Sequence, residues 1–164
     1  MDTKKLLLGT LAGGLAFFIL GYLLYGLLLM DFFANNAGAA TGVNKVEPVY
    51  WALILGNLAT AFFFTYVFMR FGNVESFGDG LKAGAIFAFL NGLSFNLITL
   101  GVTNISSITS SAVDVAVFTT MGAIAGGFIG MIIANKGESQ VEVKPVQTES
   151  TEESTQESKE VSTE

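Results

Sequence analysis

No formal charge interrupts the chain between Lys82 and Asp114, a run of 31 residues and the longest of its kind in the sequence. A helix needs about 20 apolar residues to cross the hydrocarbon core of a bilayer. The first part of the run, 82–103, is long enough. It is not uniformly apolar, because Gly80, Gly84, Ala88, Gly92 and Asn96 recur every four residues. A step of four advances a helix about 40° beyond one turn, so these positions trace a slowly winding stripe. Small residues on such a stripe let another helix approach closely, which is how helices associate in lipid. Asn91 flanks the stripe, and Thr99 and Thr103 extend it. This helix is expected to be the packing centre of a small membrane bundle.

Three further runs complete that bundle. Leu6 to Met30 holds 25 uncharged residues behind Lys4 and Lys5. A signal peptide has a basic start too, and Ala37-Gly38-Ala39 would pass as a cleavage site, but its apolar region is only about 7–15 residues. Residues 6–30 therefore read as a retained first span. Pro48 suits the first position of a helix, where its missing N–H costs nothing, and 49–70 reads as the second span, closed by Arg70. Asp79 is expected to cap the third span, 81–103, and Ser110 or Ser111 the fourth, 112–134. Gly13 to Gly21 and Gly84 to Gly92 share glycine spacing and a Phe, the faint mark of a two-plus-two duplication.

The expected fold class is thus all-α: an integral membrane four-helix bundle over residues 1–135, with a disordered C-terminal tail over 136–164. Short loops make neighbouring helices antiparallel. From Asn135 onward, eight Glu against three Lys account for −5 of the chain's net −6. This Ser/Thr/Glu-rich stretch has no aromatic residue and too little apolar surface to offset chain entropy. The low isoelectric point therefore belongs to the tail.

Lys and Arg placement sets orientation in a bilayer. Lys4, Lys5, Arg70, Lys82 and Lys136 fall on one side of a four-span chain, and Lys45 on the other. Both termini are expected to be cytoplasmic. No basic patch suggests nucleic acid. The absence of Cys and His excludes thiol chemistry and the usual zinc and haem ligands. No catalytic residue, cofactor or metal site is expected. With no deep carboxylate pair either, the general acid–base parts of an enzyme are missing.

Several residues remain as candidates. Gly84, Ala88 and Gly92, and Gly122, Gly126 and Gly130 at the same spacing of four, are expected to pack helices, either within the chain or between copies of it. Asp114 lies on the stripe of the fourth span. An intramembrane carboxylate is a functional candidate by default, although near the start of a helix it also serves the helix dipole. Asp31 is expected at the C-terminal end of the first span, where the dipole disfavours it. It should want water, Lys45, or a cation or proton site shared with Asp114. Asn57, Asn91 and Asn96 are the deep polar residues, either hydrogen-bonding between helices or lining a polar track with Ser94 and Thr99. Tyr50, Trp51 and Tyr22 or Tyr25 fit an aromatic belt at the outer interface.

Gly21-Tyr22-Leu23-Leu24-Tyr25-Gly26, together with Asp114 and Met121-Gly122-Ala123-Ile124, resembles a family of small bacterial four-span membrane proteins of unknown function, over about residues 5–134. That pattern usually has Trp where this chain has Leu24, and a shorter loop after Asp31. The resemblance implies the four-span architecture and the bacterial inner membrane, and it carries no activity. Small multidrug exporters have a similar span count but carry a Glu deep in the first helix, where 6–30 has no acid. The expected function is a non-enzymatic bundle that scaffolds or partners another membrane protein, with the lipid bilayer and a homo-oligomer as further partners. The alternative is a small transporter or channel subunit whose pathway uses Asn57, Asn91, Asn96 and the outer acids.

Overall fold

The computed structural model describes residues 2–134, and the expected acidic tail lies outside the described residues. Four helices are long and apolar enough to cross a membrane: Thr3–Leu28, Tyr50–Phe71, Phe77–Val102 and Ile108–Ile133. The first is composite. α1 (Thr3–Gly21) passes into a π-helical segment, Tyr22–Leu28, and a bend at Leu29 leads to the short α2 (Met30–Asn35). α3 (Tyr50–Phe71), α4 (Phe77–Val102) and α5 (Ile108–Ile133) follow.

Serine caps set where α4 and α5 begin, four residues earlier than the expected 81 and 112. Ser76 Oγ accepts from the Asp79 N–H at 3.1 Å and donates to Asp79 Oδ2 at 2.6 Å. Asp79 is therefore the third residue of the helix in a capping box, not the cap itself. Ser107 Oγ accepts from the Ser110 N–H at 3.1 Å and donates to the Asn36 carbonyl at 2.6 Å. Ser110 and Ser111 are consequently buried inside α5. Pro48 stands two residues before α3, whose cap position is Val49.

The packing centre is α5, not α4 as expected. Half of the most apolar window of α5 is buried, against 17% for α4. The stripe of α4 serves one neighbour only: its buried residues are Gly80, Gly84, Ala88, Gly92 and Asn96. They meet the Gly122, Gly126 and Gly130 stripe of α5. A Cβ on Gly84 would overlap the Gly122 carbonyl oxygen and lie 2.9 Å from Gly126 Cα. Other faces of α5 bury Val117, Met121, Ala125 and Ile129. There α1 packs through side chains rather than backbone: a Cβ on Gly13 would lie 2.6 Å from Ile129 Cδ1 and 3.1 Å from Ala61 Cβ of α3. The helices are thus arranged α3–α1–α5–α4. α1 and α4, which a duplication would make equivalent, have different surroundings.

The core at mid-depth is aromatic. Phe17 meets Phe64 edge-on at 5.6 Å and stacks on Phe118 at 6.2 Å. Phe87 is the main link from α4 to α3, with ring distances of 6.0–6.1 Å to Phe63, Phe64 and Phe68. These residues lie toward the C-terminal end of α3. Toward its start α3 is uncovered by the other described residues, and Tyr50 to Gly56 are all exposed. α3 and α4 therefore meet around Phe87 and not at the start of α3.

Both described chain ends lie at one end of the bundle, since Lys5 Nζ donates to the Ile133 and Ala134 carbonyls at 3.3 and 3.4 Å. A cation there offsets the negative pole of α5. At the opposite end two loops pair. The Gly38 N–H donates to the Ile105 carbonyl at 3.2 Å and the Ala40 N–H to the Asn104 carbonyl at 3.0 Å. Gly38 is required there, because any Cβ would overlap the Asn104 backbone.

Candidate functional site: a carboxylate held by Tyr25 and Asn96

Asp114 lies six residues past Ile108. At 1.5 Å per residue that is about 9 Å into the helix. It is therefore in the second turn, beyond reach of a capping role, which Ser107 fills. Its two carboxylate oxygens take different donors. Tyr25 Oη donates to Oδ1 at 2.7 Å, and Asn96 Nδ2 donates to Oδ2 at 2.7 Å and to its own Gly92 carbonyl at 2.9 Å. Three spans thus converge on one side chain. Among the described residues no Lys or Arg pairs with it.

Each partner is placed by a local feature. Asn96 is the last member of the α4 stripe and is buried by it. Tyr25 depends on the π-helical segment. The Leu29 N–H reaches back five residues to the Leu24 carbonyl at 2.8 Å. This wider turn changes the register, so that Tyr22 stays exposed while Tyr25 turns in. π-helical turns are rare and concentrate at functional sites. The Phe33 ring of α2, 5.3 Å from the Tyr25 ring, covers the tyrosine from the loop side.

The other candidates lie elsewhere. Asp31 is exposed in the first turn of α2, where the dipole favours a carboxylate, and not at an unfavourable helix end as expected. It shares no hydrogen bond with the Asp114 cluster, and no ion pair joins it to Lys45. Asn57 and Asn91 each donate to a carbonyl of their own helix, Leu53 at 2.8 Å and Phe87 at 3.1 Å. The three asparagines do not form one track. Gly84, Ala88, Gly92, Gly122, Gly126 and Gly130 are consumed by the α4–α5 contact within the chain. Tyr50, Trp51 and Tyr22 are exposed as an interfacial belt requires, whereas Tyr25 is not. The sequence reading missed Tyr25 as a partner of Asp114, because an inward tyrosine and a belt tyrosine look alike near the end of a span.

Chemically the cluster is a carboxylate held by neutral donors. Each oxygen keeps acceptor capacity beyond its one hydrogen bond, so the site can take up a proton or simply staple three helices. No group of three or more Asp or Glu able to hold a metal ion occurs among the described residues. The opposite end of the bundle has a cleft of about 330 Å³, lined by Asp2, Lys5, Asn73, Glu75, Phe68 and Ile133. The aromatic core lies between the two. The chain matches no protein-family model, no curated protein and no solved structure.

Proposed function

We propose that this chain is a non-enzymatic helical bundle of the bacterial inner membrane. In this reading both termini are cytoplasmic, and the bundle acts as scaffold or partner for other membrane-embedded chains, copies of itself included. The supporting observation is the filled middle of the bundle. Phe17, Ala61, Phe64, Ala88 and Met121 are 0–4% exposed there. Thr65, fully buried beside that layer, donates to the Ala61 carbonyl of its own helix at 2.7 Å and so extends no hydrogen-bonded path from the Asp114 cluster. The start of α3 meanwhile offers exposed apolar side chains, Trp51, Leu53, Ile54 and Leu55. The inner-membrane location rests on the family resemblance, and the orientation on the placement of Lys and Arg.

A second reading, a small transporter or channel subunit, draws on Asp114 itself. A carboxylate within a span and without a counter-charge is the usual mark of an ion or proton pathway. Ion flux separates the two. Purified protein in liposomes loaded with a pH-sensitive or K⁺-sensitive dye is expected to leak no faster than empty vesicles. Flux above that background, abolished by Asp114→Asn, would replace the scaffold reading with the transporter.

A further inference from the structure

Of the two deep asparagines outside the cluster, the one nearer mid-helix lies where lipid would be. Asn91 is exposed on α4, 14 residues after Phe77 and 11 before Val102. At 1.5 Å per residue it lies about 21 and 16 Å from the two helix ends, close to mid-membrane. It is one turn beyond Phe87 on the same side of the helix. Phe87 packs against Phe63, Phe64 and Phe68 of α3. Asn91 therefore lies one turn past that contact, and Phe95, one turn further, is 69% exposed.

A carboxamide has two N–H donors and an oxygen that accepts. Asn91 uses one N–H on the Phe87 carbonyl. The other N–H and the oxygen have no partner among the described residues, and hydrocarbon supplies none. Water solves this problem for a soluble protein. In a bilayer another polar group at the same depth must do it.

Resting on the interaction-partner reading above, we infer that the α4 face carrying Asn91 and Phe95 is a dimer interface, and that its occupant is a second copy of this chain. The Lys and Arg bias gives every copy the same orientation, so the twofold axis of an isologous pair runs along the bilayer normal. Such an axis puts both Asn91 side chains at one depth automatically. A carboxamide is self-complementary: the free N–H of each reaches the oxygen of the other. An unrelated helix or a lipid chain would have to supply both a donor and an acceptor at that depth independently. The stripes of α4 and α5 are already occupied within the chain, so they do not compete for this role.

The chain has no cysteine, which makes the test direct. Single-cysteine variants Asn91→Cys and Leu97→Cys, the latter toward the opposite side of α4, are reconstituted in liposomes at low protein density and oxidised. Asn91→Cys is expected to give a disulfide-linked dimer and Leu97→Cys only monomer. In parallel, energy transfer between labelled copies should show Asn91→Leu dimerising about tenfold more weakly than wild type. That is the loss of two symmetry-related hydrogen bonds of the size measured between membrane helices. Asn91→Gln should restore most of it. Asn91 packs no core residue, so all variants should fold, which circular dichroism checks. A monomer by energy transfer overturns the dimer but leaves a heterologous partner, and so the broader reading, standing. A dimer that links equally through both cysteines, or is unchanged by Asn91→Leu, overturns the interface.

Discussion

Asp114, Tyr25 and Asn96 show how far one polar residue constrains three helices. Two of the three stand out in the sequence because acids and amides are rare in apolar runs. Tyr25 does not, since the π-helical turn that aims it leaves no signature in composition. If the pair is as tight as its 2.7 Å hydrogen bond indicates, Tyr25→Phe should lower stability by about 1 kcal/mol, the usual scale for such a bond. Asp114→Ala, which removes the acceptor for both Tyr25 and Asn96, should cost at least as much. The double variant should lose clearly less than the two single losses combined, because both delete the Tyr25–Asp114 hydrogen bond. Unfolding in mixed detergent micelles measures this, and strictly additive losses would mean that the two side chains are not coupled.

Among helices, the small-residue stripes carry the architecture. Every fourth position of α4 and α5 is legible as a face for close approach, but a stripe carries no address. Whether it meets a helix of its own chain or of another depends on loop length and on which face is nearest. Here the short 103–107 connection brings α4 and α5 side by side, and backbone meets backbone at Gly84 and Gly122. The same residue type elsewhere is idle: a Cβ on Gly56 of α3 would meet nothing within 4 Å. Gly84→Ala should therefore destabilise by about 1–3 kcal/mol, the range for forcing extra volume into a packed contact. Gly56→Ala should be neutral or stabilise by up to about 1 kcal/mol through helix propensity. Thermal unfolding in detergent compares them. Equal losses would contradict the α4–α5 pairing.

At the level of the whole molecule, Lys5 ties the start of α1 to the end of α5, and Lys4, Arg70 and Lys82 lie at that same end. A fluorescent protein fused to either terminus should fluoresce in the cytoplasm, and alkaline phosphatase inserted in the 36–48 loop should be active outside. The reverse pattern would invert the orientation. The number of spans, their approximate limits and the charge asymmetry were all readable from the chain alone. Each depends on a local property: about 20 apolar residues must replace water along one stretch of backbone. What only the tertiary structure decided is which faces meet. It made α5 rather than α4 the centre, turned Tyr25 onto Asp114, separated Asn96 from Asn57 and Asn91, and left the start of α3 uncovered by the other described residues. The reason is physical. In lipid, apolar side chains gain little by leaving one apolar neighbour for another. Hydropathy therefore does not rank the faces of these helices, and shape, backbone contact and a few hydrogen bonds choose among them.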